Sequence, residues 1–148
     1  MPYSLLVQYG TEAEYRRHFE RVYCKGPIKT FDGITVRFHK SMFDHCFFES
    51  SRRDTIKDTF SIKRAERIDW IKKALQDPSS EKYVGWDRKK KRYNKKRRVT
   101  IVMGNYVVII QLTGSVKANF ITAYLADTEG SKSRPATIDL IRSGPKWL

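Results

Sequence analysis

The chain has 148 residues, 40% of them hydrophobic, with eight Phe, eight Tyr and three Trp. That is enough apolar surface for one core, and it excludes a polar disordered chain. Thirty Lys and Arg against sixteen Asp and Glu leave a net charge of +14, which favours polyanionic partners: RNA, DNA or an anionic membrane.

The opening MPYSLLVQYG has no basic stretch and only a short apolar run, so no signal peptide is expected. No segment approaches the roughly 18–20 apolar residues of a spanning helix, and a cytoplasmic location without membrane attachment is expected. A helix is predicted over Thr11–Tyr23, opened by Thr11 and Glu14 in the S/T-x-x-E arrangement and ended by Gly26-Pro27. Phe31-Asp32-Gly33 reads as a turn before a strand from Ile34 to Phe38, in which Ile34, Val36 and Phe38 alternate with Thr35 and Arg37. Ser41 opens a short helix to about Ser50, with Met42, Phe43, Cys46 and Phe47 on one apolar face.

A second helix is predicted from Ile62 to Leu75, stopped by Asp77-Pro78. A brief strand, Lys82 to Trp86, precedes a basic loop. Val99–Met103, Tyr106–Leu112 and Ala118–Leu125 then read as strands, with Gly104-Asn105 as a two-residue hairpin and a loop-like tail after Asp127. Helices first and an antiparallel meander last indicate an α+β domain. Cys24 and Cys46 form no CxxC and have no histidine at zinc-site spacing, so two free buried thiols are expected.

The loop concentrates the charge. Nine of the eleven residues Arg88, Lys89, Lys90, Lys91, Arg92, Tyr93, Asn94, Lys95, Lys96, Arg97 and Arg98 are basic. Such a patch attracts phosphates with steep salt dependence, and Tyr93 with nearby Trp86 adds stacking surface for bases. A solvated, self-repelling linker and a targeting signal are the other readings of the same run.

The acids Asp44, Glu49, Asp54, Asp58, Glu66 and Asp69 form no recognisable metal-binding triad, and His18, His39 and His45 make no HxH or HExxH pattern. No P-loop or dinucleotide fingerprint is present, so no metal and no cofactor is expected. RNA allows metal-free cleavage because its own 2′-hydroxyl is the nucleophile. The protein then needs a proton acceptor, a proton donor and cations for the phosphorane-like charge.

Three elements offer those groups. His45 lies off the apolar face of its helix, beside Glu49, directed at solvent or a cleft. The apolar stripe of the second helix continues onto Arg64 and Arg67, which either pair with acids such as Asp44 or Glu49 or line a phosphate-binding cleft. In FITAYL, Phe120, Thr122 and Tyr124 share one face and Ile121, Ala123 and Leu125 the other. The apolar set is expected to face the core, leaving the Thr122 and Tyr124 hydroxyls opposite. Exposed strand positions that merely suit Thr and Tyr are the plainer alternative.

FDHCFF (Phe43–Phe48), RAERIDWI (Arg64–Ile71), GWD (Gly85–Asp87), NFITAY (Asn119–Tyr124) and GPKW (Gly144–Trp147) follow one another along the chain. In this set the chain resembles the phage-associated branch of the barnase–EndoU–colicin–RelE superfamily of small ribonucleases and toxins. The resemblance implies N-terminal helices packed on a four-stranded antiparallel sheet. It implies one such domain over residues 1–148, with 1–33 as a helical extension and 34–148 as the core. It also implies metal-free endonucleolytic cleavage of RNA to a 2′,3′-cyclic phosphate, by a toxin or effector of a phage or mobile element. The site residues carried over are His45, Arg64, Arg67, Thr122 and Tyr124. No glutamate matches the base of the barnase-like members, so the resemblance does not supply one. Expected partners are RNA, with tRNA and ribosome-associated RNA as candidates, and an antitoxin or immunity protein. Two other readings stand beside it: a non-catalytic RNA- or DNA-binding module of a mobile element, and an interaction protein for an acidic partner.

Overall fold

Thr11 opens the first helix as its spacing predicts: extended itself, it accepts the Glu14 N–H at 3.3 Å, and its hydroxyl reaches the Glu14 carboxylate at 3.0 Å. The computed structural model describes residues 3–50, 57–87, 90–94, 97–133 and 135–147. Helix α1 (Glu12–Phe19) runs into a π-helical turn, Glu20–Cys24. The wider turn sets Tyr23 inside, where its hydroxyl donates to the Ile68 carbonyl and accepts from Lys72 N–H.

Short strands β1 (Ile28–Lys29) and β2 (Thr35–Arg37) flank the expected turn, with Gly33 at φ 91°. Helix α2 (Met42–Phe47) leads into the small ribbon β3 (Phe48–Glu49) and β4 (Thr59–Phe60). The helix predicted over Ile62–Leu75 is two helices, α3 (Ile62–Ala65) and α4 (Ile68–Gln76). The chain breaks at Glu66-Arg67, where Arg67 leaves helical geometry (φ −97°, ψ 19°) and starts α4.

Strand β5 (Glu81–Val84) is followed by the ribbon β6 (Trp86–Asp87) and β7 (Arg92–Tyr93). The meander β8 (Arg98–Met103), β9 (Tyr106–Leu112) and β10 (Lys117–Leu125) turns at Gly104-Asn105, with Gly104 at φ 61°. The tail is not all loop: helix α5 spans Thr137–Arg142. Its four-residue apolar signal (Ile138, Leu140, Ile141 and preceding Ala136) is too short to show a helical period.

The architecture is α+β, but the sheet is neither four-stranded nor wholly antiparallel. Six strands lie in the order β1-β2-β10-β9-β8-β5, and β2 runs parallel to β10. The reason is the nine-residue length of β10, whose outer edge at Lys117–Asn119 is free to take up Thr35–Arg37. The intervening helices supply the long crossover that a parallel pair requires. The far edge, β5, is covered by the chain end: Val84 N–H bonds Pro145 O at 2.8 Å and Trp147 N–H bonds Lys82 O at 3.0 Å.

Apolar clusters form on both faces. On one, Tyr15, Phe19, Tyr23, Phe43, Phe47, Ile68, Trp70 and Ile71 from the helices pack on Val99, Ile101, Val108, Ile110 and Phe120. Residues of 1–33 thus belong to the same buried cluster as the strands. On the other, α5 and its approach bring Ala136 and Ile138 onto Tyr83, Val102 and Val107. Among the described residues, no helix is long and apolar enough to cross a membrane.

Candidate active site and nucleic-acid interface

Helix α2 lies beside β10 where β2 has ended, and there the Cys46 thiol donates to the Ala123 carbonyl at 3.5 Å. Phe43, Cys46 and Phe47 are buried, and His45, one position before Cys46, is exposed, as its place off the apolar face predicts. Burial of part of its ring lowers the His45 pKa, and the positive charges of Lys57, Arg98 and Arg64 lower it further. The Lys57 ammonium also donates to the His45 carbonyl. His45 is therefore an exposed imidazole whose proton is held less tightly than usual, under the influence of three cations.

Arg64 stands on the first turns after β4, where the Ser61 hydroxyl accepts its N–H at 3.2 Å. Its guanidinium donates to the Cys46 carbonyl at 3.2 Å and pairs with Glu49 at 3.0 Å. It also lies 6.0 Å from the Tyr124 ring centroid. Of the two sequence readings for the arginines, acid pairing holds for Arg64, with Glu49 as the acid.

Arg67 has different surroundings. It is 6% exposed, donates to Lys63 O at 2.5 Å, and stacks its guanidinium 5.1 Å from the Trp70 ring. Its Nε is buried and has no hydrogen-bond partner among the described residues, and Glu66 lies 3.9 Å away. None of these contacts is with His45, Arg64, Thr122 or Tyr124.

Strand β10 carries a bulge between Phe120 and Thr122, which the alternation FITAYL did not reveal. Phe120 and Ala123 consequently both enter the main core, whereas strict alternation put Phe120 with Thr122 and Tyr124. Thr122 and Tyr124 do lie on the opposite face, both half-buried, across from Ile109 and Val107. Thr122 sits beside the Cys46 thiol, and Tyr124 packs at the margin of the second apolar cluster. Burial raises the Cys46 thiol to about 11, so it is an inert packing group. Cys24 is half-buried and, like Cys46, free.

The described residues of the basic run include strand β7, which pairs with β6, and the first residue of β8. Trp86 and Tyr93 pair across β6 and β7 with ring centroids 5.1 Å apart, edge to face, and remain 48% and 38% exposed. Lys90, Lys91, Arg92 and Arg97 are exposed, with Lys91 at φ 50° in the tight turn. Arg88, Lys89, Lys95 and Lys96 lie outside the described residues. Arg98 ends the run half-buried, its side chain laid across Gly85 and its Nε buried with no hydrogen-bond partner among the described residues. This contact ties the basic ribbon to the His45 surroundings, and sequence reasoning gave Arg98 no such place. Its signal was Gly85, the one small residue where β5 meets β6.

Among the described residues no three His, Cys, Asp or Glu side chains are grouped to hold a metal ion. Comparison with protein-family models, with curated proteins and with solved structures found no match.

Proposed function

We propose that this chain is a metal-independent endoribonuclease, the activity that its resemblance to the barnase–EndoU–colicin–RelE superfamily implies, acting as a toxin or effector of a phage or mobile element. The observation that carries the reading is the exposed His45, bonded at its carbonyl by Lys57 and with its pKa lowered by Lys57, Arg98 and Arg64. In this scheme His45 accepts the 2′-hydroxyl proton of a bound ribose. The 2′-oxygen forms a bond to phosphorus, the bond from phosphorus to the 5′-oxygen breaks, and the leaving oxygen takes a proton from the imidazolium or solvent. Arg64 stabilises the charge on the non-bridging oxygens, Thr122 donates a hydrogen bond, and Tyr124 supports Arg64 and offers a ring for stacking. The basic run Arg88–Arg98, with Trp86, recruits the RNA strand. Arg67 acts through the fold, by fixing the start of α4.

The test is cleavage of total RNA by the purified protein in excess EDTA, with analysis of the product ends. The reading expects 2′,3′-cyclic phosphate termini, and loss of cleavage in His45→Ala. Parent-rate cleavage by His45→Ala would sink the assignment of His45.

A second reading, the non-catalytic RNA- or DNA-binding module, is favoured by one observation: Arg64 is already engaged by Glu49 at 3.0 Å. Salt-sensitive retention of RNA without any cleavage after long incubation supports that reading over the first.

A further inference from the structure

The register of the sheet draws a polar row across one end of the face on which α5 sits. Arg37 pairs with Asn119, Asn119 with Gln111, and Gln111 with Arg98. Directly paired residues project to the same side, so these four side chains share a face. The next rows, holding Ile109, Tyr83, Val107 and Val102, are the ones that the α5 cluster covers. No member of the polar row belongs to either apolar cluster. Asn119 and Gln111 are half-buried, and among the described residues neither side-chain amide has a hydrogen-bond partner. Gln111 also lines an open groove with Arg97, Thr113 and Ser115.

We propose that Asn119 and Gln111 form a subsite that selects adenine in a single RNA strand, with Arg98 and Arg37 holding the flanking phosphates. The inference rests on the reading that RNA is the ligand, and it names the base which that interface prefers. Each amide offers one acceptor and one donor group side by side, and the two stand about 4.8 Å apart on neighbouring strands. Adenine is the base that fits both. Its exocyclic N6 carries two hydrogens, one flanked by the N7 acceptor and the other by N1. Each amide oxygen accepts one of those hydrogens while its NH2 donates to the adjacent ring nitrogen. Guanine presents an acceptor at the same place, and cytosine has a ring acceptor on one side only. A base engaged on both edges is unpaired, so the strand is single. The cations at either end of the row suit a polyanionic chain crossing it.

The experiment is fluorescence anisotropy at low salt with labelled 2′-O-methyl pentanucleotides UUAUU, UUGUU, UUCUU and UUUUU, which cannot be cleaved through the 2′-position. The expected result is about tenfold tighter binding of UUAUU than of the other three, in line with one or two bidentate base contacts. Asn119→Asp, which keeps the shape and removes the amide donor, and Gln111→Ala each bring the four affinities together while UUUUU still binds. Circular dichroism checks that both variants are folded. Equal binding of all four by the parent, preference for another base, or an adenine preference that survives both substitutions overturns the subsite. Because the probes resist cleavage, absence of ribonuclease activity leaves this result intact. Failure to bind any of the four overturns the subsite and the RNA reading together.

Discussion

Arg98 lies so close over Gly85 that a β-carbon at position 85 would stand 2.0 Å from Arg98 Cγ, while the Gly85 N–H bonds the Arg98 carbonyl at 2.8 Å. The absence of a side chain at 85 therefore sets where the last charge of the basic run sits. In Gly85→Ala the Arg98 side chain must leave, taking its charge from the neighbourhood of His45. The expected outcomes are a rise in the His45 pKa, seen by NMR titration of the ring protons, and RNA binding weakened severalfold. An unchanged His45 titration contradicts this coupling.

His45 itself carries the pH dependence. Partial burial and three nearby cations place its folded-state pKa below the ordinary imidazole value of about 6.5. The folded state then binds a proton less readily than the unfolded chain. This group's contribution to stability is present above the ordinary imidazole value and is lost as pH falls through the folded pKa. Cleavage by a neutral His45 rises with pH and levels off, with its inflection below about 6.5. Lys57→Gln moves that inflection upward. An inflection at or above the ordinary value contradicts His45 as the base.

The two arginines of RAERIDWI separate in their consequences. Arg67→Ala removes a guanidinium packed on Trp70 and opens a cavity at the start of α4, so a loss of about 2–4 kcal/mol is expected in urea unfolding. Arg67→Met, which keeps most of the volume and buries no charge, costs less. Arg64→Ala is expected to leave the unfolding midpoint nearly unchanged and to abolish cleavage. Equal stability losses at both positions contradict this division.

Phe19 sits at the centre of an aromatic group, with ring centroids of Tyr23, Phe38, Phe43, Phe47 and Phe120 at 5.7–6.3 Å. Phe19→Ala is expected to cost about 3–5 kcal/mol. A chain lacking residues 1–24 is expected to lose cooperative unfolding. A cooperative transition in that shortened chain shows that α1 is dispensable to the core.

Removing charge from the ribbon has a different signature from removing the site. Replacing Lys90, Arg92 and Arg97 with Ala lowers the slope of log affinity against log salt for single-stranded RNA, by roughly 0.7 for each phosphate no longer neutralised. Trp86→Ala and Tyr93→Ala weaken binding with little effect on that slope, because stacking releases no counterions.

Local chemistry made much of this legible in advance. The Thr11 cap, the Gly104-Asn105 hairpin, the outward position of His45 and the alternation around Val36 all follow from spacings of two to four residues. What the spacing missed depends on distant partners. The break at Glu66-Arg67 accompanies a hydrogen bond from the Tyr106 hydroxyl to Arg67 O at 3.4 Å, 39 residues away in the chain. The bulge at Ile121 lets both Phe120 and Ala123 reach the core, a register that no single-strand pattern encodes. The β2–β10 pairing and the cover of Arg98 over Gly85 likewise join segments far apart in sequence.

Chemistry through the 2′-hydroxyl at His45 is isolated by one substrate: an otherwise all-DNA oligonucleotide with a single ribose, incubated with the protein in EDTA. Cleavage is expected only after that ribose, leaving a 2′,3′-cyclic phosphate, and none when the ribose is 2′-O-methylated or when His45 is Ala. Cleavage of the 2′-O-methylated strand, or undiminished cleavage by His45→Ala, contradicts it.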